Sequence, residues 1–435
     1  MSGPQPGSPI ASLWRDTTST ASDFASLSSD KTVDVAIIGG GYTGLTAAHR
    51  LAERGVHAIV VDANPIGWGA SGRNGGVVSA KFRLSFPSIA QAHGMPVATA
   101  MHRLCHDSVD EVEALIQDYG LESARFTRCG NLRCAHTAKA LDAITEEAQW
   151  MRREMGDDSL RCLSPGEVAE ETGSQAFKGG VLGLGVGTLH PLDYVRGLAA
   201  GLNQRHGEIV FERTPATSIR RLDDGVHITT PSGEIKARQV ILATNAYSDI
   251  TPVSAAIKTR LVPFRSSIIA TNPLPEALQN YLLVKDRSYG ETRRMMRWFR
   301  KVDGRIVFGG RGAFGKRDSQ AAFDSLQSAM VSLFPALVDI GIAYRWSGHV
   351  GMTLDALPHV GRFDDRVCYA AGYNGAGVAM STLLGRFAAD YAMGESPDLA
   401  LLAAERLKAV PFYPLREVGI RLVAGYYQFL DAIGR

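Results

Sequence analysis

The chain has 435 residues, 45% of them hydrophobic, with 46 basic against 44 acidic side chains and a formal net charge of +2. That length buries enough core for more than one lobe, and so even a charge balance offers no broad cationic face to nucleic acid. Five scattered cysteines make no disulfide framework, and no apolar run reaches the roughly 18 residues a transmembrane helix needs. A reducing, cytoplasmic setting is expected.

Residues 1–30, rich in Ser, Thr, Ala and Pro, read as an N-terminal arm, neither signal peptide nor anchor, with Trp14 expected to pin it to the body. The next segment is the most informative. An apolar run over 33–38 meets Gly39-Gly40-Gly41-Tyr42-Thr43-Gly44. A helical stretch follows, which Gly55 ends, and then a second strand over 58–62 that closes on Asp62 and Ala63. This is the strand, glycine turn, helix and strand of a dinucleotide site. Gly39 permits the turn, Gly41 lets backbone approach a pyrophosphate, and Gly44 lets helix pack on strand. The helix, from about Thr43 to Arg54, opens with unpaired N–H groups toward phosphate, and Tyr42 and Thr43 are expected at the cofactor. Asp62 accepts from both hydroxyls of an adenosine ribose and repels a 2′-phosphate.

After Pro65 comes Gly67-Trp68-Gly69-Ala70-Ser71-Gly72-Arg73-Asn74-Gly75-Gly76. No regular element tolerates that much glycine, so this backbone bends sharply or lies against something flat. Helices are expected near 88–119 and 137–154, with a short strand around 125–135 between them. Ser164-Pro165-Gly166-Glu167 has a helix-start pattern. Residues 183–187 read as a strand, and Thr188-Leu189-His190-Pro191 as a turn into a helix over 192–206. Cys129 and Cys134 are the closest thiol pair, but no second pair or His cluster completes a metal site, so no metal is expected.

Short alternating strands follow at 208–212, 217–222, 225–230 and 234–236. An apolar strand over 239–243 ends in Thr244-Asn245-Ala246. Antiparallel strands are expected at 259–271, 293–300 and 305–311, a helix at 321–335 and a strand at 340–348. The basic cluster 293–301 alternates with large apolar groups, as in a strand with one face toward substrate or solvent. A strand over 367–371, a second glycine turn over 372–377 and a helix over 378–393 return to α/β character. Residues 416–433 have a wide apolar face suited to a helix on the nucleotide domain, on a subunit neighbour or on a membrane surface.

The expected fold is α/β plus α+β: a discontinuous Rossmann-like FAD-binding domain (31–85, 155–175, 190–258 and 345–400) with an inserted antiparallel β-sheet substrate domain (86–154, 176–189 and 259–344). Residues 401–435 form a C-terminal helical extension. FAD enters through a resemblance. The dinucleotide turn, the segment 67–76, the β-meander, the Ala-Thr-Asn strand end and Ala371-Gly372-Tyr373-Asn374-Gly375-Ala376-Gly377 come in the order seen in the D-amino-acid-oxidase-like family of FAD-dependent oxidoreductases. Segment 67–76 and Leu189-His190-Pro191-Leu192-Asp193-Tyr194 are most similar to the γ-glutamylputrescine oxidase branch. The resemblance covers about residues 31–395.

The resemblance implies FAD in preference to NAD, because a second helix start is needed for the flavin end. Gly372, Asn374, Gly375, Gly377 and Val378 then face the flavin's pyrimidine oxygen. Gly69, Ala70, Ser71, Arg73, Asn74, Gly75 and Gly76 run beside the pyrophosphate, ribityl chain and ring. Thr214-Pro215-Ala216 meets the adenine, and Thr244 and Asn245 close the central strand end. No cysteine stands in 346–358, where sarcosine oxidase has its flavin link. His349 is the alternative link, and non-covalent FAD is expected.

The implied reaction is oxidation of a primary or secondary amine or an amino acid, with hydride passing to flavin N5, hydrolysis of the imine, and reoxidation by O2 to give H2O2. A quinone or protein acceptor, or a non-catalytic FAD-binding role, are the alternatives. Trp346 near the ring, Tyr373 on the C-terminal loop and Lys81 as a promoter of O2 reaction are the catalytic candidates, with His190 either a base or a helix cap. Arg83, Phe264, Arg294 and Arg297 are candidate substrate contacts. Arg265, Arg300, Arg311 and Arg345 compete with them for a substrate carboxylate.

Overall fold

In the computed structural model, which describes residues 11–21, 23–310, 320–403, 407–416 and positions 418, 419, 422 and 425, the first apolar run becomes the strand Lys31–Ile38. It pairs in parallel with Ala58–Val61 on one side and Gly233–Leu242 on the other. Val210–Phe211 and Val367–Ala371 extend this sheet in parallel, and His359–Arg362 closes one edge antiparallel. Both faces are covered, which is why these strands are apolar without alternation. Val35, Ile37 and Ile241 pack with Leu45 and Leu383 of the helices Tyr42–Glu53 and Gly377–Ala392. Ala36, Ile38 and Val240 pack with Val226 and Ile228 of the meander on the other face. The two helices approach so closely that a Cβ on Gly385 would sit 2.4 Å from the Thr43 carbonyl oxygen. That approach brings both glycine turns to one place.

A second eight-stranded sheet runs Ile342–Met352, Val262–Thr271, Arg305–Gly310, Arg297–Val302, Ser288–Glu291, Asn131–Cys134, Gly180–Gly183 and Leu160–Leu163. Its pairs are antiparallel except Ser288–Glu291 with Asn131–Cys134. Tyr289, Phe299 and Phe308 stack across neighbouring strands at 5.6 and 5.7 Å, beneath the helix Gln320–Leu333.

Several elements differ from expectation for identifiable reasons. Where 88–119 reads as one helix, Gly94 at φ +84° followed by Pro96 divides it into Phe86–His93 and Met95–Asp118. The longer piece buries Met101, Cys105 and Val109 in the same core as Leu45 and lies against the helix Gly377–Ala392, so it packs with the helical layer of the nucleotide-type sheet. Segment 155–175, expected with the first sheet, gives Leu160–Leu163 to the second. The stretches 234–236 and 239–243 are one strand, Gly233–Leu242. The strand expected over 183–187 is replaced by Gly180–Gly183 and Gly187–Thr188, the latter paired with Val77–Val78. The basic strand begins at Arg297, not 293. The apolar face over 416–433 and Arg311 lie largely outside the described residues, although Val418 and Leu422 are exposed.

The N-terminal arm forms a short helix, Leu13–Thr17, capped by Ser12. Trp14 is fully buried against His190 and Trp346, and Thr18, Ser19 and Thr20 all donate to one oxygen of the Asp193 carboxylate.

Candidate active site

A cavity of about 820 Å³ joins the two glycine turns to one face of the second sheet. At the first turn Gly39 has φ +113°, and a Cβ there would stand 2.8 Å from the Ala243 carbonyl oxygen. A Cβ on Gly44 would lie 1.9 Å from the Gly39 oxygen, so strand and helix meet only through glycine. Gly41 has a different constraint from the one expected: its absent Cβ is faced by Ser71 Oγ at 2.8 Å. Ser71 thereby reaches the turn and accepts the Tyr42 N–H at 3.2 Å. Gly41, as N-cap, supplies no side chain to the helix start, and beyond the Tyr42 N–H that Ser71 takes, first-turn N–H groups are left for an anion.

Asp62 is fixed by two backbone donors, Gly40 N–H at 2.8 Å on one oxygen and Asn64 N–H at 2.9 Å on the other. Burial raises its pKa and these two bonds oppose the rise. Each oxygen has a second lone pair, the capacity a vicinal diol uses.

The segment 67–76 is held from behind by its own carbonyls. Trp346 Nε1 donates to the Arg73 oxygen at 2.9 Å, and Trp14 Nε1 to the Asn74 oxygen at 2.8 Å. Arg300 Nη1 donates to the oxygens of Gly75, Gly76 and Leu189 at 3.0–3.2 Å. Asn74 closes the loop internally, accepting from Gly76 N–H and donating to the Ala70 and Ser71 oxygens. Arg73 is buried, stacked on the Trp68 ring at 4.4 Å, and donates to the Trp68 and Ser347 oxygens. A Cβ on Gly75 would enter the Trp298 ring at 2.3 Å, so the loop passes flat over an aromatic surface.

The second turn is built alike. Gly372 at φ +83° leaves no room for a Cβ beside Thr353, whose nearest carbon would be 2.2 Å away. Asn374 adopts φ +53° and its side chain bonds the Thr353 N–H and the Gly372 oxygen. Asn245 Oδ1 accepts the Gly372 N–H at 2.9 Å, tying the central strand end to this turn, and Thr244 Oγ1 bonds Ser248 and Ser254. The helix Gly377–Ala392 starts at Ala376, again without a side-chain cap. Tyr373 Oη lies 2.6 Å from Thr43 Oγ1 and joins the two turns directly.

The cavity lining includes Gly39, Gly41, Tyr42, Thr43, Asp62, Ala63, Gly69, Ala70, Ser71, Arg73, Asn74 and Gly75. It also includes Ala216, Thr244, Asn245, Asn374, Gly375, Gly377 and Val378. Gly44, Gly76 and Gly372 fall outside it and serve close backbone packing instead.

Two of the four catalytic candidates, Lys81 and Tyr373, face the cavity. The other two are corrected by their surroundings. Trp346 is 1% exposed and stands behind the loop as a donor to Arg73. His190, also 1% exposed, caps the helix Pro191–His206: Nδ1 accepts the Asp193 N–H at 3.1 Å, and Nε2 meets Thr17 Oγ1 at 3.1 Å. Burial lowers its pKa and keeps the ring neutral, outweighing the nearby Asp193 carboxylate.

The competing arginines also separate. Arg265 is buried beside Ser347 and His349, Arg297 pairs with Glu291, Arg300 holds the loop, and Arg345 donates to the Ile342 oxygen; none of these lines the cavity. Arg294 lines it, with Lys81, Arg83, Phe264 and His349. Sequence reasoning missed Arg133 and Arg293 as lining cations, and Glu147 and Glu291 as their counter-charges. Arg293 lay in the basic cluster already noted. The others come from strands and helices that only the tertiary fold brings to this wall.

Two helix starts without side-chain caps, a diol acceptor between them and a glycine passage over Trp298 fit FAD, and together with this fold they define an FAD-dependent oxidoreductase. The family model described as FAD dependent oxidoreductase matches residues 34–391, and the chain belongs to that family. It is 31% identical to the γ-glutamylputrescine oxidoreductase of Escherichia coli (strain K12), over 94% of this chain and 96% of that protein. It is 29% identical to the probable oxidoreductase OrdL of Haemophilus influenzae, over 97% of each chain. The crystal structure of glycine oxidase from Geobacillus kaustophilus shares the fold, with TM-score 0.73 at 22% identity over 87% of this chain and 99% of that one. Among the described residues no helix is long and apolar enough to cross a membrane.

Proposed function

We propose that this enzyme oxidises a small amine or amino acid bearing a carboxylate, with FAD held non-covalently and O2 as the electron acceptor. The observation that carries the reading is the charge of the cavity wall on the side of the second sheet. Lys81, Arg83, Arg133, Arg293 and Arg294 line it against Glu147 and Glu291. Arg294 and Arg293 would hold the carboxylate. The same cations lower the pKa of a nearby amine and favour the neutral nitrogen that oxidation requires.

In this reading the first glycine turn and its helix would hold the pyrophosphate, Asp62 would hold the ribose, and Gly375–Val378 backbone N–H groups would hold the flavin's pyrimidine end. When bound, FAD supplies the two-electron oxidation of the substrate C–N bond. The protein's share is orientation over the passage formed by Gly75 and Trp298, and exclusion of water by Phe264, Phe82 and Met296. The net reaction takes amine, water and O2 to a carbonyl compound, ammonia or a shorter amine, and H2O2. Among the described residues no cysteine lines the cavity, which supports the non-covalent assignment, and His349 is the one imidazole on its wall. The same reading places the enzyme in a reducing cytoplasm.

Anaerobic mixing with γ-glutamylputrescine, putrescine, sarcosine, glycine, D-amino acids and pipecolate tests the substrate class. Bleaching of the flavin by a carboxylate-bearing amine, followed by peroxide on admission of air, is expected. Bleaching without peroxide moves the acceptor to a quinone or protein. A flavin bleached by none of the carboxylate-bearing amines sinks the proposal. Acid precipitation is expected to leave a colourless pellet.

A further inference from the structure

Outside the cavity lining, three ligand-type side chains converge. His102 and His106 stand one turn apart on Met95–Asp118 and project from one side of it. Ala138–Met155 ends at Gly156, whose left-handed conformation (φ +66°) turns the chain and delivers Asp157 to the two imidazoles. His102 Nε2 lies 3.1 Å from Asp157 Oδ2 and 3.1 Å from His106 Nε2, and His106 Nε2 is 4.0 Å from that same oxygen.

Protons alone satisfy this triangle poorly. Each Nε2 carries at most one proton, directed along a single line in the ring plane. The two contacts of His102 Nε2 diverge by about 80°, so one proton aligns well with only one of them, and a proton shared between both meets each at a poor angle. If His102 donates to Asp157, its nitrogen has no lone pair left for His106. If it accepts from His106, a bare nitrogen faces a carboxylate, lone pair against lone pair.

A cation between the three atoms removes the conflict. Atoms with these separations lie on a circle of about 2 Å radius, the bond length of imidazole and carboxylate to first-row divalent ions. We propose that His102, His106 and Asp157 bind one divalent first-row transition-metal ion. Two imidazoles select against Mg2+ and Ca2+, and a centre nearly in the ligand plane suits Cu2+, Ni2+ or a Zn2+ completed by water. Asp157 Oδ1 accepts the Ser159 N–H at 2.9 Å, which aims the other oxygen at the imidazoles. The His106 side chain is 33% exposed, leaving an entry path and room for water ligands. His102 packs edge-on to Phe86 at 5.2 Å, and Phe86 lines the cavity. The ion would therefore staple Met95–Asp118 to the end of Ala138–Met155, one side chain behind the cavity wall.

The test uses the FAD-loaded full chain after chelation and desalting, and needs no turnover. Zn2+ is titrated against a chromophoric chelator, and one equivalent of Cu2+ is read by electron paramagnetic resonance. Wild type is expected to bind one Zn2+ per chain, with Cu2+ coupled to two imidazole nitrogens. His106→Gln should leave coupling to one nitrogen, and it and the isosteric Asp157→Asn should each weaken Zn2+ at least tenfold while keeping the flavin spectrum. Wild type without a stoichiometric ion, or with a Cu2+ spectrum lacking two-nitrogen coupling, overturns the proposal. So does an ion bound equally well by both variants. The wild-type nitrogen count decides the matter even where a variant fails to fold.

Discussion

His190 shows how burial decides a residue's role. Its ring is enclosed by Trp14, Thr17 and the helix start it caps, and that burial depresses its pKa below the ordinary 6.5. The unfolded chain takes up a proton near pH 6.5 that the folded ring refuses, so stability is full above that pH and falls as pH drops toward the folded value. His190→Asn keeps an N-cap acceptor without the titration. It should flatten the loss between about pH 6.5 and 4.5 in urea unfolding, where wild type loses on the order of 1–3 kcal/mol. Turnover of this variant should stay within about threefold of wild type, whereas removing a general base costs roughly 100-fold or more. A larger fall in kcat would return His190 to the chemistry. Arg294 is the opposite case, a cation on the cavity wall. Arg294→Ala should raise KM for a carboxylate-bearing amine about 10–100-fold and leave kcat nearly unchanged, since the carboxylate is bound alike in ground and transition states. An equal effect on putrescine, which has no carboxylate, would reject that assignment.

The short helix Leu13–Thr17 braces the loop 69–76 through a single tryptophan. Trp14→Ala removes a fully buried ring and should cost about 3–5 kcal/mol. Trp14→Phe keeps most of the packing but leaves the Asn74 carbonyl without its indole donor, a loss of about 1–3 kcal/mol. FAD retention through a desalting column should fall in both, and unchanged retention in Trp14→Phe would remove the loop-bracing role. Much of this architecture is legible in the chain because local chemistry dictates it. The strand Lys31–Ile38, the turn at Gly39, Asp62 and the strand Val367–Ala371 are apolar runs and glycines whose meaning does not depend on distant partners. Gly94 and Pro96 carried a helix break in plain view. Ser288–Glu291 carried no such signal, because its polar ends and Gly290 become a strand only between Asn131–Cys134 and Arg297–Val302. Trp346 likewise gave no sign of which side of the loop it would occupy. That depends on a bond to a carbonyl 273 residues earlier.

At the scale of the whole molecule, the two glycine turns come from opposite ends of the chain and are joined by protein contacts alone. Thr43 and Tyr373, both buried, share a 2.6 Å bond across that junction, and the helices behind them are close-packed at Gly385. A cradle assembled in advance makes a definite prediction about Tyr373→Phe. Its lost hydrogen bond should lower stability by about 1 kcal/mol, and equally in apoprotein and FAD-loaded enzyme, if protein packing and not the cofactor holds the two turns together. The dissociation constant for FAD should then change less than about threefold, since little ordering is left for binding to drive. A cradle that closed only around the cofactor would behave differently. The apoprotein would be indifferent to the substitution, and the whole loss, about tenfold per 1.4 kcal/mol, would fall on FAD affinity. Urea unfolding of both forms, with FAD at a hundredfold excess over its dissociation constant, separates the cases. Binding adds about 2.7 kcal/mol to wild type at that excess, and with a preassembled cradle the increment should be the same in Tyr373→Phe.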